Sequence, residues 1–242
     1  MLMLRKTWAL TLVLFLIMLL SQPVFGEILF EDDFEADDIG DEPSLWNIVP
    51  GFTLQVVEDP ENPDNKVLAE TGEANGLGPP TPVGWEDQDF WTDYVWEFDW
   101  MWSADVYVGT AHRYQDAQHY YHSSRRLGGA NFIIYNWDGN FTALQDRPWS
   151  SNAGVWYRMQ SSDIGNEHTI KGKEIDDETP FDQLDPIVSV EDDTYAEGTI
   201  GLFGAEGVMY WDNIIVYEPG TDISGAVEPV GKLAVTWGKI KF

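Results

Sequence analysis

Two carboxylates stand two residues apart in a segment that alternates aromatic and other side chains. Residues 94–102 read YVWEFDWMW, with Glu97 and Asp99 set between the rings. In a β-strand the rings share one face, and Glu97 and Asp99 share the other. Two carboxylates on a sheet face suit glycosidic chemistry, one as acid and one as nucleophile or base. The alternative is a pair of solvated acids on an open face, while the rings are predicted to lie in the core.

Arg113 is the second candidate, in a segment that begins with small residues. On a strand it would share its face with Gly109 and Ala111, which leave a groove above the sheet. A guanidinium in that groove presents a planar fork of donors to carboxylates or sugar hydroxyls. The alternative is a cross-strand ion pair with Glu97 or Asp99. In an enzyme, Glu97, Asp99 and Arg113 would be the catalytic group.

Three more aromatic residues are candidates for contacting a sugar. Tyr121 and Tyr135 would lie on the same face as Arg113 if their strands are neighbours. Trp137 stands beside the turn Asp138-Gly139, where an exposed ring can stack on a sugar. The alternative for Trp137 is a packed ring that anchors the loop. The four histidines have no metal-ligand spacing, and no Ser/His/Asp order is evident.

Strand-like segments surround all of these residues. Alternation with a period of two recurs along the chain, helical periodicity is nearly absent, and Gly-rich or Asn-rich turns separate the runs. Many short strands at this spacing predict an all-β fold, a two-sheet antiparallel jelly-roll sandwich. The acidic stretches 31–42 and 174–193 are predicted to be loops and strand edges. The strand-like runs are 28–34, 53–58, 94–102, 106–114, 118–123, 131–135, 155–161, 199–203 and 208–217.

The ends of the chain differ from its middle. Arg5 and Lys6 precede an apolar run and then small residues, which predicts a secretory signal peptide over residues 1–26. The alternative is a retained anchor, although the apolar run is shorter than the about 20 residues that span a bilayer. The domain is predicted over 27–220, and 221–242 is a C-terminal tail, flexible or involved in sorting. The protein is therefore expected to be secreted or held at the cell surface or in the periplasm.

Charge and cysteine content exclude several functions. The formal net charge is −29, and loss of the basic leader makes the remainder two charges more negative. Such a surface repels phosphate backbones and anionic lipids, so nucleic acid is not expected as a partner, nor is membrane insertion of the mature domain. The chain has no cysteine, which excludes a thiol nucleophile and thiolate metal ligands. Nothing in the pattern specifies an oligomeric state.

Three stretches resemble the concanavalin A-like lectin/glucanase superfamily, and more narrowly its laminin-G-like and 3-keto-disaccharide hydrolase-type bacterial modules. Residues 30–34, followed by Trp46, are similar to the opening strand of such modules. Residues 109–121 resemble their hairpin of glycine, apolar residues, Arg and tyrosines. Residues 198–202 and 211–217 are similar to the closing pair of strands. The resemblance covers the chain up to about Gly220 and implies a jelly roll in which the first and last strands pair.

The resemblance also bears on activity. Related glucanases carry three alternating carboxylates on one strand, and here the position after Glu97 and Asp99 holds Met101. The third carboxylate is therefore absent, which argues against retaining glucanase activity. In the 3-keto-disaccharide hydrolase-type modules, the arginine that matches Arg113 lies at the ligand face.

A structural calcium ion is the one cofactor that the resemblance implies. Related glucanases hold calcium with an aspartate of the closing strand, and Asp212 occupies that place. Asp33 belongs to the acidic opening segment, which comes close to Asp212 if the first and last strands pair. Carboxylate and carbonyl oxygens are the ligands that calcium prefers. The alternative is an aspartate that caps a turn or bonds to neighbouring residues.

These observations lead to one expected function and two alternatives. We expect a secreted carbohydrate-binding or adhesive lectin-like module without catalysis, whose partner is an oligo- or polysaccharide. The first alternative is a glycoside-active enzyme of the 3-keto-disaccharide hydrolase or lyase type, and the second is a structural surface protein. The residues expected to bind the ligand are Glu97, Asp99, Arg113, Tyr121, Tyr135 and Trp137.

Overall fold

Strands make up nearly all of the regular structure. The computed structural model describes residues 26–72, 78–85, 90–104, 107–125, 130–205 and 207–223. These contain no α-helix, and a short 3₁₀ turn spans Phe181–Gln183. The predicted leader, apart from Gly26, and the predicted tail beyond residue 223 lie outside the described residues. The strands are β1 Ile28–Asp32, β2 Trp46–Asn47, β3 Phe52–Glu58, β4 Lys66–Gly72, β5 Thr81–Pro82, β6 Tyr94–Trp102, β7 Tyr107–Asp116, β8 His119–Arg125, β9 Asn131–Trp137, β10 Phe141–Pro148, β11 Tyr157–Ile164, β12 Glu167–Glu174, β13 Val188–Glu191, β14 Thr199–Ala205 and β15 Val208–Tyr217.

Two antiparallel sheets form a sandwich. The larger sheet has eight strands in the order β13-β12-β11-β6-β15-β4-β3, with β1 beside β15. The smaller sheet has five strands in the order β10-β9-β8-β7-β14, and β2 pairs with β5 in a separate ribbon. Each named pair of strands is antiparallel. The predicted all-β, jelly-roll-like sandwich is confirmed.

The aromatic stripe of β6 is the centre of the core, as its alternation predicts. Tyr94, Trp96, Phe98, Trp100 and Trp102 are all buried between the two sheets. Trp100 alone contacts the rings of three other tryptophans and two phenylalanines. Burying a large apolar side chain contributes about 2–3 kcal/mol, so this strand fixes the position of everything on its opposite face.

The closing strand β15 ties the large sheet together. It pairs with β6 along its length, with β4 through its first half, and with β1 through its second half. The change of neighbour falls at Asn213, which has a φ of 49° and interrupts the β6 register between Asp212 and Ile215. A bulge of this kind bends a strand, which allows one strand to serve two neighbours on the same side. The predicted pairing of the first and last strands is confirmed.

Candidate functional site

Glu97 and Asp99 share the outer face of the large sheet, on a network of hydrogen bonds. Asp99 is only 1% exposed. Arg158 donates from Nε to Oδ1 of Asp99 and from Nη2 to Oδ2, both at 2.7 Å. Asn213 donates a further bond of 2.8 Å to Asp99 Oδ2. Gln160 and the Tyr217 hydroxyl each donate to Glu97 Oε1 at 2.9 Å.

This network changes the interpretation of both acids. Asp99 is not a solvated acid, because the bonds from Arg158 and Asn213 occupy both of its oxygens. The bond to Asp99 is also the main reason that the pKa of Arg158 is raised above its ordinary value. Such a fork-to-fork pair is strong and geometrically specific. The arrangement holds β6, β11 and β15 in register, and it uses both oxygens of Asp99 and one oxygen of Glu97.

Arg113 does not lie over an open groove, and the sequence-based expectation for it is wrong. Its side chain is 1% exposed, and its guanidinium donates to the carbonyl oxygens of Tyr195 (2.8 Å) and Thr92 (3.1 Å). It pairs with neither Glu97 nor Asp99. The reason is the backbone, because Arg113 has a φ of 48° and its turned strand sends the side chain into the interior. Arg113 therefore joins the segments that carry Thr92 and Tyr195, and it does not lie at a ligand face.

Tyr121 and Tyr135 lie on opposite faces of the small sheet, contrary to expectation. Their strands are neighbours, but the register pairs Tyr121 with Asn136 and His122 with Tyr135. A shift of one residue moves a side chain to the other face. Tyr121 is consequently buried between the sheets, where its hydroxyl donates to Asp192 Oδ1 at 2.6 Å.

The outer face of the small sheet carries a continuous set of rings, which we call the aromatic face. Phe141 is its most exposed member at 53%, and it lies 4.3 Å from the Trp137 ring and 5.2 Å from the Tyr135 ring, between centroids. Trp137 is half-buried, and its indole N–H donates to the carbonyl of Ala117 at 2.9 Å. The aromatic face consists of Trp85, Tyr114, Tyr120, His122, Tyr135, Trp137, Phe141 and Phe203.

The residues of the sheet beneath these rings have small side chains or none. Gly109, Ala111 and Gly201 line up across β7 and β14 on this face. A Cβ on Gly109 would lie 2.9 Å from Cε1 of His122 and 2.5 Å from the carbonyl oxygen of Ser123. The His122 ring can therefore pack against β7 only with a glycine at position 109. Residue types and turns in the sequence indicate Tyr135 and Trp137, whereas His122 and Phe141 are recognisable as members of this face only from the strand register.

A second set of polar residues meets between the sheets. Ser123 Oγ lies 2.7 Å from Nε2 of His112, and Nδ1 of His112 lies 2.8 Å from Oδ1 of Asp163. This is the order of contacts in a serine hydrolase triad, which the sequence does not reveal. All three side chains are fully buried beneath the sheets, so a substrate cannot reach Ser123. The arrangement links the two sheets and is not an active site.

The same cluster is the best group of metal-ligating side chains in the described part of the chain. His112, Asp163 and His168 offer ligand atoms within 4.8 Å of one another. The two Nδ1 atoms lie 2.8 and 2.6 Å from one Asp163 oxygen, which are hydrogen-bond distances. Burial alone would raise the pKa of Asp163, but the two imidazoles hold it below its ordinary value. The sequence spacing of the two histidines is not that of metal ligands, and in the structure both lie at hydrogen-bond distance from the buried carboxylate of Asp163.

Asp212 and Asp33 accept hydrogen bonds from different residues. Asp212 is buried, and its oxygens accept from Nδ2 of Asn65 (2.9 Å) and from the backbone N–H of Asn213 (2.8 Å). Asp33 accepts from the backbone N–H of Glu35 at 3.2 Å. Calcium binding by this pair stays a prediction, and it is checked by comparing melting temperatures in calcium and in magnesium.

Within the described ranges, no helix has the length and apolar character that crossing a bilayer requires.

Comparisons with known proteins agree on the fold. No family model and no curated protein matches the chain. Among solved structures, a Bacillus subtilis protein of unknown function with a galectin-like fold is 12% identical with a TM-score of 0.53, over 80% of this chain and 97% of that one. The xylan β-1,4-xylosidase of Bacillus halodurans C-125 is also 12% identical with a TM-score of 0.53, over 78% of this chain. This chain spans only 39% of the xylosidase.

A carbohydrate-binding module, CBM66 of Bacillus subtilis, is a more distant likeness. It is 13% identical with a TM-score of 0.44, over 69% of this chain and 92% of that one. At these identities the likeness of the galectin-like protein and the xylosidase concerns the fold alone, a β-sandwich.

Proposed function

We propose that this protein is an exported carbohydrate-binding module that holds an oligosaccharide on the aromatic face. The observation that carries the proposal is the set of rings around Phe141, which leaves Phe141 half exposed and Tyr135 and Trp137 half-buried on one sheet face. Binding sites for small ligands are mostly apolar, with a few polar groups to orient the ligand. Aromatic rings of this kind pack against the C–H faces of sugar rings while the sugar hydroxyls stay in water.

The opposite sheet supports binding more than catalysis. Asp99 is engaged by Arg158 and Asn213, and Glu97 by Gln160 and Tyr217, so the acids that glycosidic chemistry would use serve the sheet. The fold likeness to a galectin-like protein and to part of a xylosidase is an analogy in the same direction. Export is inferred from the leader that the sequence predicts.

The test is a glycan array probed with the exported chain, followed by titration of the best ligand. Phe141→Ala removes the most exposed ring, and we expect affinity to fall about tenfold, the equivalent of about 1.4 kcal/mol. Ile164→Ala is the matched control, because Ile164 is also an exposed apolar residue but lies at the end of β11 in the large sheet. Equal affinity of both variants and the wild type would place the ligand elsewhere. Silence on the array, with no glycoside turnover, would favour a structural surface protein instead.

A further inference from the structure

His122 lies in the aromatic face without a hydrogen bond to any described residue. Its side chain is only 4% exposed, and Nδ1 is buried without a partner. Rings surround it: Phe203 at 4.6 Å, Phe141 at 5.5 Å, Tyr135 at 6.1 Å and Tyr120 at 6.5 Å, between centroids. A buried polar group that lacks a hydrogen bond costs about 1–3 kcal/mol, so such a group in a native protein calls for an explanation.

The other three histidines show what is unusual about His122. His112 and His168 share the carboxylate of Asp163, and the exposed His119 lies 2.8 Å from Asp116. The chain thus supplies an acidic partner to every histidine except the one that lies among the rings of the aromatic face. An imidazole whose hydrogen bonds are left unused in a ligand site is available to a ligand.

The chemistry of His122 restricts which ligand it can accept. Burial, and then the nearby His112, lower the pKa of His122 to about 3, so the ring is neutral at ordinary pH. A neutral imidazole has one donor and one acceptor nitrogen, which matches a hydroxyl group that both donates and accepts. Carboxylate and sulfate groups only accept. Asp138 and Asp146 are exposed on the hairpin that borders the face, and they disfavour an anionic sugar further.

We propose that His122 is the polar anchor of the sugar site and that the ligand is an uncharged glycan, one of whose hydroxyl groups hydrogen-bonds to the imidazole; this rests on the proposed function. The ring of Phe141 lies 5.5 Å from the His122 ring and is half exposed, and we place the ligand's access to the imidazole beside it. The face then offers an orienting polar group inside an apolar surround.

The experiment compares His122→Phe with His119→Ala on the array and by titration calorimetry. Phe keeps the ring packing but cannot hydrogen-bond, and His119 is a surface residue of the same strand. We expect His122→Phe to melt at or above the wild-type temperature, because it removes the unpaired polar group, and to bind a neutral glycan about five- to tenfold more weakly, with the affinity of His119→Ala unchanged. His122→Gln, which restores a donor and an acceptor, should recover part of the affinity. If His122→Phe binds the glycan with wild-type affinity, the proposal that His122 hydrogen-bonds to the sugar is wrong.

The ligand class is tested separately with uronate-containing and sulfated glycans and by varying pH. We expect weak or no binding of the charged glycans, and constant affinity for the neutral glycan between about pH 5 and 8. The titratable groups packed around His122 are His112 on β7, Tyr120 on β8 and Tyr135 on β9, while β10 and β14 present Phe141 and Phe203. Equal binding of anionic glycans would overturn the neutral class but leave the proposed function standing. If Phe141→Ala also binds normally, the proposed function itself fails.

Discussion

The outer faces of the two sheets use polar residues in opposite ways. On the large sheet, Asp99 and Glu97 are surrounded by donors, and the bonds that they accept join three strands. On the small sheet, His122 lies among rings without a hydrogen bond, beside the half-exposed Phe141. A polar network that is satisfied within the protein stabilises the fold, whereas unused hydrogen bonds beside exposed rings are the feature on which the proposed sugar site rests.

The largest expected effect is a loss of stability as the pH rises, without a change in sugar affinity. Glu70 is fully buried between the sheets, where Gly204 and Trp211 donate to its oxygens, and burial raises its pKa from 4.5 to about 7. Between these values the unfolded chain ionises first, so the folded state holds more protons and stability falls as pH rises. The loss should be about 3 kcal/mol by pH 8.

Urea unfolding of wild type and Glu70→Gln at pH 4.5 and pH 8 measures this loss. Asp32, with a pKa raised to about 6 mainly by burial, acts in the same direction, so part of the slope should remain in Glu70→Gln. Sugar affinity should stay constant over this range, since His122 stays neutral throughout it. Identical slopes in the two proteins would mean that Glu70 is ionised in the fold.

The second prediction concerns the network on the large sheet. Asp99→Ala leaves the guanidinium of Arg158, which is about one third exposed, without its carboxylate. Breaking a fully buried pair costs several kcal/mol, and partial exposure reduces this to about 2 kcal/mol of unfolding free energy. Denaturant midpoints measure the loss, and sugar affinity of the folded variant should be unchanged. An affinity loss as large as that of Phe141→Ala would move the site to the large sheet.

The smallest effect compares two tyrosines on neighbouring strands. Tyr121→Phe removes a buried hydroxyl that donates to Asp192 and accepts from the backbone N–H of Tyr195, so it should cost about 1 kcal/mol of stability. Tyr135→Phe, on the aromatic face, should leave stability within about 0.5 kcal/mol and weaken sugar binding two- to threefold. Thermal unfolding and titration of both variants give the two readouts. If Tyr135→Phe instead lost stability and Tyr121→Phe lost affinity, Tyr135 would face the interior and Tyr121 the ligand.

Some strands could be predicted and others could not, and the difference lies in their exposure. The β6 alternation is unbroken because one of its faces is core, and β15 was predicted with its observed bounds. The strands β10 and β12 were missed. β10 is the edge strand of the small sheet and is exposed along most of its length, and β12 lies within a largely polar stretch. A strand with no buried residue, such as β10, carries little of the apolar alternation that identifies it, and one of the two buried positions of β12 is the polar His168.

By itself, the sequence determined the fold class, the aromatic core and the pairing of the chain's first and last strands. The first two follow from local alternation and from the need to bury rings, whereas the pairing of the end strands is what the resemblance to known modules implies. Only the tertiary structure decided the site. One residue of register put Tyr121 inside and His122 outside, a positive φ turned Arg113 into the interior, and Asp163 met His112 from the other sheet, 51 residues away. Local patterns specify which residues share a strand face, whereas register, bulges and sheet packing specify which faces meet and which remain open.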